Sequence, residues 1–259
     1  MKIQQIRNAT VKIEYSDQTF LVDPMLSKKE TLAPFPSKDG NTNKNPLVDL
    51  TESISSILEG ITAVIVTHNH VDHWDSRAME VINKNTPIFV QDRGDQISIA
   101  NSGFNDVRIL GITEKLGDVI IKKITGQHYE NDAVKQLLDN YTDTSHTMGF
   151  FLESVNEKSI LFTGDTIWFE GLKSNLEKLE PGVVVMNSGG NGVESGRLIL
   201  DAQDVVEIHK TLPKTLLIAS HMEAVNHWTT SKSELLSVAK ENDFADSLII
   251  PNDGERLVL

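Results

Sequence analysis

The chain has 259 residues, 39% of them hydrophobic, which is enough for a globular core and excludes wholesale disorder. A formal net charge of -13, with no cluster of Lys and Arg, argues against a nucleic-acid partner, because phosphate binding rests on grouped cations. The absence of cysteine excludes disulfides and thiolate metal sites, and no run approaches the ~20 apolar residues of a membrane span. The first eight residues lack the continuous apolar segment of a secretory signal, so a cytoplasmic location is expected.

In chain order, Val11 to Tyr15 and Thr19 to Val22 alternate as half-buried strands around a Ser16-Asp17 turn, which predicts a hairpin. Pro24 stops the second strand and leaves Asp23 at its end, either closing an Asx-type turn or orienting a ligand histidine from behind. Residues 27–46 carry three prolines, a glycine and several Asn and Lys without apolar periodicity. They predict a long loop: a mobile surface segment in the simpler reading, a wall over a site with Phe35 as contact in the functional one. Leu50, Ile54, Ile57 and Leu58 then fall at helical spacing before Gly60, and residues 61–66 read as a buried strand.

Directly after that strand comes Thr67-His68-Asn69-His70-Val71-Asp72-His73-Trp74. Three histidines and an aspartate within six residues are the donor types and spacing of a metal site rather than of a polar surface loop. Alternate side chains of an extended segment share a face, so His68 and His70 can take one ion, while Asp72 and His73, beyond a tight bend, turn to a second.

Asp75 or Ser76 can cap a following helix, Pro87 to Val90 starts a strand, and a short helix is expected over 93–101 before a strand at 107–110. Strands alternating with helices predict a layered α/β domain spanning residues 1–259, with no linker that divides it and with two similar halves. Strands at 119–125, 149–153, 160–162, 183–186 and 215–219 follow, with helices near 132–140, after Asp201, and over 231–241. Three of these strands end next to a ligand-type residue: His128, Asp165 and His221. Gly164 leaves room for backbone to pass close beside Asp165.

His68-x-His70-x-Asp72-His73, with His128, Asp165 in Phe162-Thr163-Gly164-Asp165-Thr166, and His221, resembles the metallo-β-lactamase superfamily of metal-dependent hydrolases over nearly the whole chain. The resemblance implies a four-layer αββα sandwich and a dinuclear site. One metal takes His68, His70 and His128, the other takes Asp72, His73 and His221, and Asp165 bridges them. His146, in a His-Thr-x-Gly turn, competes with His128 as third ligand of the first site. With His128 preferred, His146 becomes a substrate contact carried back by the intervening segment. Asn226 and His227 are further candidate substrate contacts, each with a packing role as the plain alternative. The donor set of nitrogen and oxygen suits two divalent ions, zinc first and manganese or iron next.

Two dications, two aspartates and one hydroxide sum to about +1, so the expected reaction is hydrolysis by a metal-bridging hydroxide of a small, anionic ester, lactone or phosphoester. Asp72 or Asp165 would orient the water or relay its proton. Leu21-Val22-Asp23-Pro24, Gly149 to Ser154 and Pro251-Asn252-Asp253-Gly254-Glu255 look like the branch that includes the L-ascorbate-6-phosphate lactonases. The alternatives are a nuclease or cyclic-nucleotide phosphodiesterase on the same centre, or a non-hydrolytic metal-binding or oxidoreductase protein. Small-molecule substrates are the expected partners, with a homo-oligomer permitted.

Overall fold

The computed structural model describes residues 1–142 and 144–259. β1 (Lys2–Arg7), β2 (Thr10–Tyr15) and β3 (Gln18–Val22) form an antiparallel meander. Helix-strand units follow: α1 (Ile54–Leu58), β4 (Ala63–Val66), α2 (Ser76–Val81), β5 (Ile88–Val90), α3 (Arg93–Asn101) and β6 (Val107–Ile109), with strands parallel to β3. The plan then repeats. β7 (Thr113–Leu116), β8 (Val119–Thr125), β9 (Met148–Glu153) and β10 (Ile160–Phe162) are antiparallel, with α4 (Asp132–Tyr141) between β8 and β9. After them come α5 (Glu170–Leu179), β11 (Val183–Asn187), the small hairpin of β12 (Gly192–Val193) and β13 (Gly196–Arg197), α6 (Ala202–Thr211), β14 (Leu216–Ser220), α7 (Lys232–Glu241) and β15 (Leu248–Ile249). The strands β10, β11, β14 and β15 are parallel, and β16 (Arg256–Val258) returns to pair with β1.

Two seven-stranded sheets result, in the orders β16-β1-β2-β3-β4-β5-β6 and β15-β14-β11-β10-β9-β8-β7. Their side chains explain the layering. Ala63 and Ile65 of β4 point into the core between the sheets, where they join Phe20, Phe150, Phe162 and Val185. Val64 and Val66 point outward, against Ile57 of α1, Ala78 of α2 and Ile99 of α3. Val184 and Met186 of β11 face outward in the same way, under Leu172 and Leu176 of α5, Val205 of α6 and Leu235 of α7. A strand covered on both faces needs apolar residues at every position, which is why these runs read as continuous rather than alternating. The arrangement is the αββα sandwich that the sequence led us to expect, with its two similar halves. Among the described residues no helix is long and apolar enough to cross a membrane.

Strand direction decides where the site lies. β8 and β10 are both antiparallel to β9, and β14 runs parallel to β10 through β11, so β8, β10 and β14 share one direction. Their C-terminal ends therefore open on one edge of the sheet, and each is followed within three residues by His128, Asp165 or His221.

Candidate metal centre

Seven side chains converge at this edge, and all seven are buried. The loop after β4 bends tightly, the His73 N–H donating to the His70 carbonyl at 2.9 Å. That bend separates the facing of His68 and His70 from that of Asp72 and His73. Ligand-type atoms form three groups, each mutually within 4.8 Å: His68, His70 and His128; His68, His73 and Asp165; Asp72, His73 and His221. Asp165 lies between the other two groups, its Oδ2 3.2 Å from His73 Nε2, 3.8 Å from His128 Nε2 and 3.9 Å from His68 Nε2. Its Oδ1 is 3.8 Å from His221 Nε2, and Asp72 Oδ2 is 3.2 Å from the same nitrogen.

Each ring is steered by its far nitrogen. His70 Nε2 is 3.1 Å from the Thr144 carbonyl, His128 Nδ1 3.0 Å from the Leu198 carbonyl, and His68 Nδ1 3.2 Å from Thr67 Oγ1. His73 Nδ1 is 3.0 Å from Asp23 Oδ2, while the Thr67 N–H and hydroxyl donate to the same carboxylate at 2.7 and 2.8 Å. Asp23 thus stands behind the ligand loop, orienting His73. It is not merely a turn residue, although its φ of 44° shows that the chain does turn there. Gly164, at φ 60°, is required beside Asp165, because a Cβ there would lie 2.3 Å from the Met148 carbonyl oxygen.

The electrostatics suit a cation. Burial pushes His68 down and His128 down to about 3, which leaves both rings neutral with a free electron pair. For Asp165 burial would raise the carboxyl, but His73 and then His221 override it and hold it well below its usual range. Burial would lower His73, yet Asp165, Asp23 and Asp72 hold it well above the ordinary imidazole value, so positive charge is favoured at that ring. Among the described residues His73 Nε2 and His221 Nε2 are buried and make no hydrogen bond of good geometry, although each has a carboxylate oxygen 3.2 Å away, a placement that suits donors sharing an ion.

Asp95, at the start of α3, touches the Asn69 backbone of the ligand loop and is raised to about 6 by burial and by Asp92. Below about pH 4 it is protonated folded or unfolded; between 4 and 6 the unfolded chain releases the proton first, so the fold is progressively penalised, and the penalty is complete above 6. Asp95→Asn is therefore expected to raise the stability of the metal-free protein at pH 7 by up to ~3 kcal/mol, a gain that disappears near pH 4 in urea titrations.

Several supporting contacts lie outside the pattern that the sequence marks. Asn187, the last residue of β11, donates its Nδ2 to Asp165 Oδ1 at 2.7 Å. Asn191 Nδ2 lies 3.4 Å from His221 Nδ1 and 3.3 Å from His227 Nε2. Asn8, at φ 55°, accepts the His221 N–H on its carbonyl at 3.0 Å and donates its Nδ2 to the Asp72 carbonyl at 3.1 Å, fastening two ligand loops together. The only signal was an asparagine at a strand end or in a turn beside a ligand.

Other expectations are redistributed. His146 is exposed and, among the described residues, stands apart from the cluster and from the cavity above it, with only its backbone tied down, to Gln91 and Thr144. It fits neither a ligand nor a substrate contact, because the chain runs back into the sheet at Met148 and turns the side chain out. Asn226 does not face the cavity either, since its side-chain hydrogen bonds go to the 27–46 loop. His227 does line the cavity. The 27–46 loop is folded over the site rather than free on the surface: Leu32 pairs with Asn45, and Phe35 and Pro36 form part of the cavity wall. That cavity has an empty volume of about 580 Å³ to its open mouth, with His70, Asp72, His128 and Asp165 on its floor.

A model of the β-lactamase superfamily domain matches residues 18–222. The chain belongs to the β-lactamase superfamily. As a member of this superfamily with a buried His/Asp cluster able to bind metal, it is a metal-dependent hydrolase. The superfamily member from Bacillus subtilis (strain 168) called UPF0173 protein YddR is 38% identical over 256 residues, covering 98% of each chain. Among solved structures, the isothiocyanate hydrolase from Delia radicum gut bacteria is 34% identical with a TM-score of 0.94, over 100% of this chain and 99% of that one. A possible metal-dependent hydrolase from Veillonella parvula DSM 2008 is 33% identical with a TM-score of 0.92, over 100% and 99%.

Proposed function

We propose that the cluster holds two divalent ions and that the enzyme hydrolyses a small, uncharged electrophile bearing an apolar substituent, with the isothiocyanate group as the first candidate. His68, His70 and His128 would hold one ion, Asp72, His73 and His221 the other, and Asp165 would lie between them. Zinc suits these donors, with manganese or iron served by the same set. Such ions supply water at a lowered pKa and polarise the electrophile.

The observation that carries the substrate class is the wall of the cavity. Phe35, Pro36, Leu137, Leu138, Val193 and Leu198 line it, and among the described residues no lysine or arginine does. The expectation of an anionic substrate rested on the net charge of the metal pair alone, and the wall adds no cation to help. A phosphodiester would need such cations as well. The chain's own residues divide the remaining work. Asp72 and Asp165 are ionised carboxylates on the floor, and either can accept the proton that the attacking water gives up. In an isothiocyanate the water oxygen bonds to the central carbon, the C=N π pair moves onto nitrogen, and nitrogen takes the proton. The resulting thiocarbamic acid then breaks its C–N bond, the pair and the remaining O–H proton going to nitrogen, to leave an amine and carbonyl sulfide. The relative from the Delia radicum gut bacteria, similar over its whole length, is called an isothiocyanate hydrolase, which supports this reading. An uncharged lactone or ester meets the same demands and is the second reading.

A panel on metal-loaded protein tests this. Phenethyl isothiocyanate is expected to be consumed, the activity to vanish with chelator, and zinc to restore it. A phosphodiester such as bis(p-nitrophenyl) phosphate turned over faster than the isothiocyanate and an uncharged lactone would sink the proposal.

A further inference from the structure

The dipeptide Asn226-His227 follows the candidate ligand His221 by a short loop, and its two side chains face in different directions. Asn226 is buried and faces away from the cluster, into the 27–46 loop. Its Oδ1 accepts from the Phe35 N–H at 2.9 Å and from Asn45 Nδ2 at 2.8 Å. Its Nδ2 donates to the Phe35 carbonyl at 2.9 Å and to the Asn41 carbonyl at 2.7 Å, and its own N–H donates to Asn45 Oδ1 at 2.8 Å. Both backbone groups of Phe35 are thus held by one amide, as a neighbouring strand would hold them. No other side chain type presents two acceptor lone pairs and two N–H donors in one plane at this length except glutamine, which is longer by a methylene.

His227 faces the cavity. Its ring meets Phe35 edge-on, with centroids 5.1 Å apart and planes at 88°. Its Nε2 lies 3.3 Å from Asn191 Nδ2, whereas its Nδ1 is buried with no hydrogen-bond partner among the described residues. The ring therefore meets Phe35 through its edge while its nitrogens stay buried, which makes it a backing for Phe35.

We propose that Phe35 is the substrate-recognition wall of this enzyme, packing the apolar substituent with the His227 ring behind it, and that Asn226 is the positioning residue that holds Phe35 in place. This rests on the reading of the site as a hydrolase of uncharged substrates and narrows it. The preferred substrate carries an aryl or extended alkyl group next to its electrophilic carbon, long enough to reach Phe35. A one-carbon substituent reacts at the same metal centre but leaves Phe35 without a contact.

The test compares wild type with Phe35→Ala, Asn226→Ala, Asn226→Gln and His227→Ala, all metal-loaded, with metal content measured on each. Phe35 stands on a surface loop, so its replacement leaves the fold intact even if the buried Asn226 variants do not express. With phenethyl and methyl isothiocyanate as substrates, Phe35→Ala and Asn226→Ala are expected to raise KM for the phenethyl compound about tenfold. Their kcat, their metal content and their kinetics with the methyl compound stay near wild type. Asn226→Gln recovers part of the loss, and His227→Ala, which removes the backing of Phe35, raises KM for the phenethyl compound alone. Binding of N-phenethylurea, which is uncharged and is not an isothiocyanate, is read by calorimetry and should weaken in parallel in the Phe35 and Asn226 variants. If wild type turns over no isothiocyanate while the urea still binds in a Phe35-dependent way, the reaction assigned above fails and the recognition wall stands. Equal urea binding in wild type and Phe35→Ala, or equal KM effects on the phenethyl and methyl compounds, overturns the wall.

Discussion

Asp165→Asn is expected to lower turnover by ~10³-fold or more and to release metal, because several kcal/mol of charge stabilisation are lost with one carboxylate and each 1.36 kcal/mol is tenfold in rate. The replacement is nearly isosteric, so the effect is one of charge. Three imidazoles, those of His73, His128 and His68, lie within 4 Å of Asp165 Oδ2, so the loss falls on both halves of the proposed ion pair. The substituted amide also faces the Asn187 Nδ2 donor. It must turn its oxygen that way, which leaves its own N–H groups pointing at the imidazoles. Elemental analysis beside steady-state rates checks the prediction, and an Asp165→Asn variant with native metal content and turnover would refute the bridging role.

The second large effect separates two histidines. His128→Ala is expected to lose about one ion per chain and on the order of 10² to 10³ of turnover, a ligand being worth at least the 10- to 100-fold of an outer contact. His146→Ala should match wild type in both measurements. The contrast follows from placement: His128 is buried with Nε2 toward Asp165 and Nδ1 on the Leu198 carbonyl, while His146 is exposed at the return to β9. A reversed outcome would move the third ligand of the first group to residue 146.

Most of the candidate site was legible in the sequence because its candidate ligands stand out by type and by position after apolar strands, and the fold brings them together. His68 to His73, Asp165 and His221 needed only that pattern. What stayed hidden was held by asparagines and by backbone. Asn8, Asn187 and Asn191 have no special residue type for their role, and their meaning lies in partners 64, 22 and 30 residues away. The choice between His128 and His146 was a question of side-chain direction at the two ends of one insertion, which spacing does not encode.

The fold shows the same division. The runs of β4 and β11 identify themselves as strands covered on both faces. β1 does not, because Gln4, Gln5 and Arg7 are buried within it and erase the alternation. Arg7 is accommodated by the carbonyls of Met25, Ser27 and Val48, a solution visible only in three dimensions. α5 carries no start signal in its sequence: its N-cap is Phe169, which makes no side-chain cap, and Gly171 sits in its first turn. β7 is exposed along most of its length and has no apolar pattern to find.

The two halves of the sandwich repeat one plan, yet neither carries a whole site. Every group of ligand atoms draws members from both: His68, His70, Asp72 and His73 from the first sheet's loop, His128, Asp165 and His221 from the second's. An ion bound there acts as a clasp across the seam, and its affinity is thermodynamically linked to how well the sheets hold together. A core substitution far from the edge, such as one at the stacked Phe150 and Phe162, would then be felt as weaker metal retention before it is felt as unfolding.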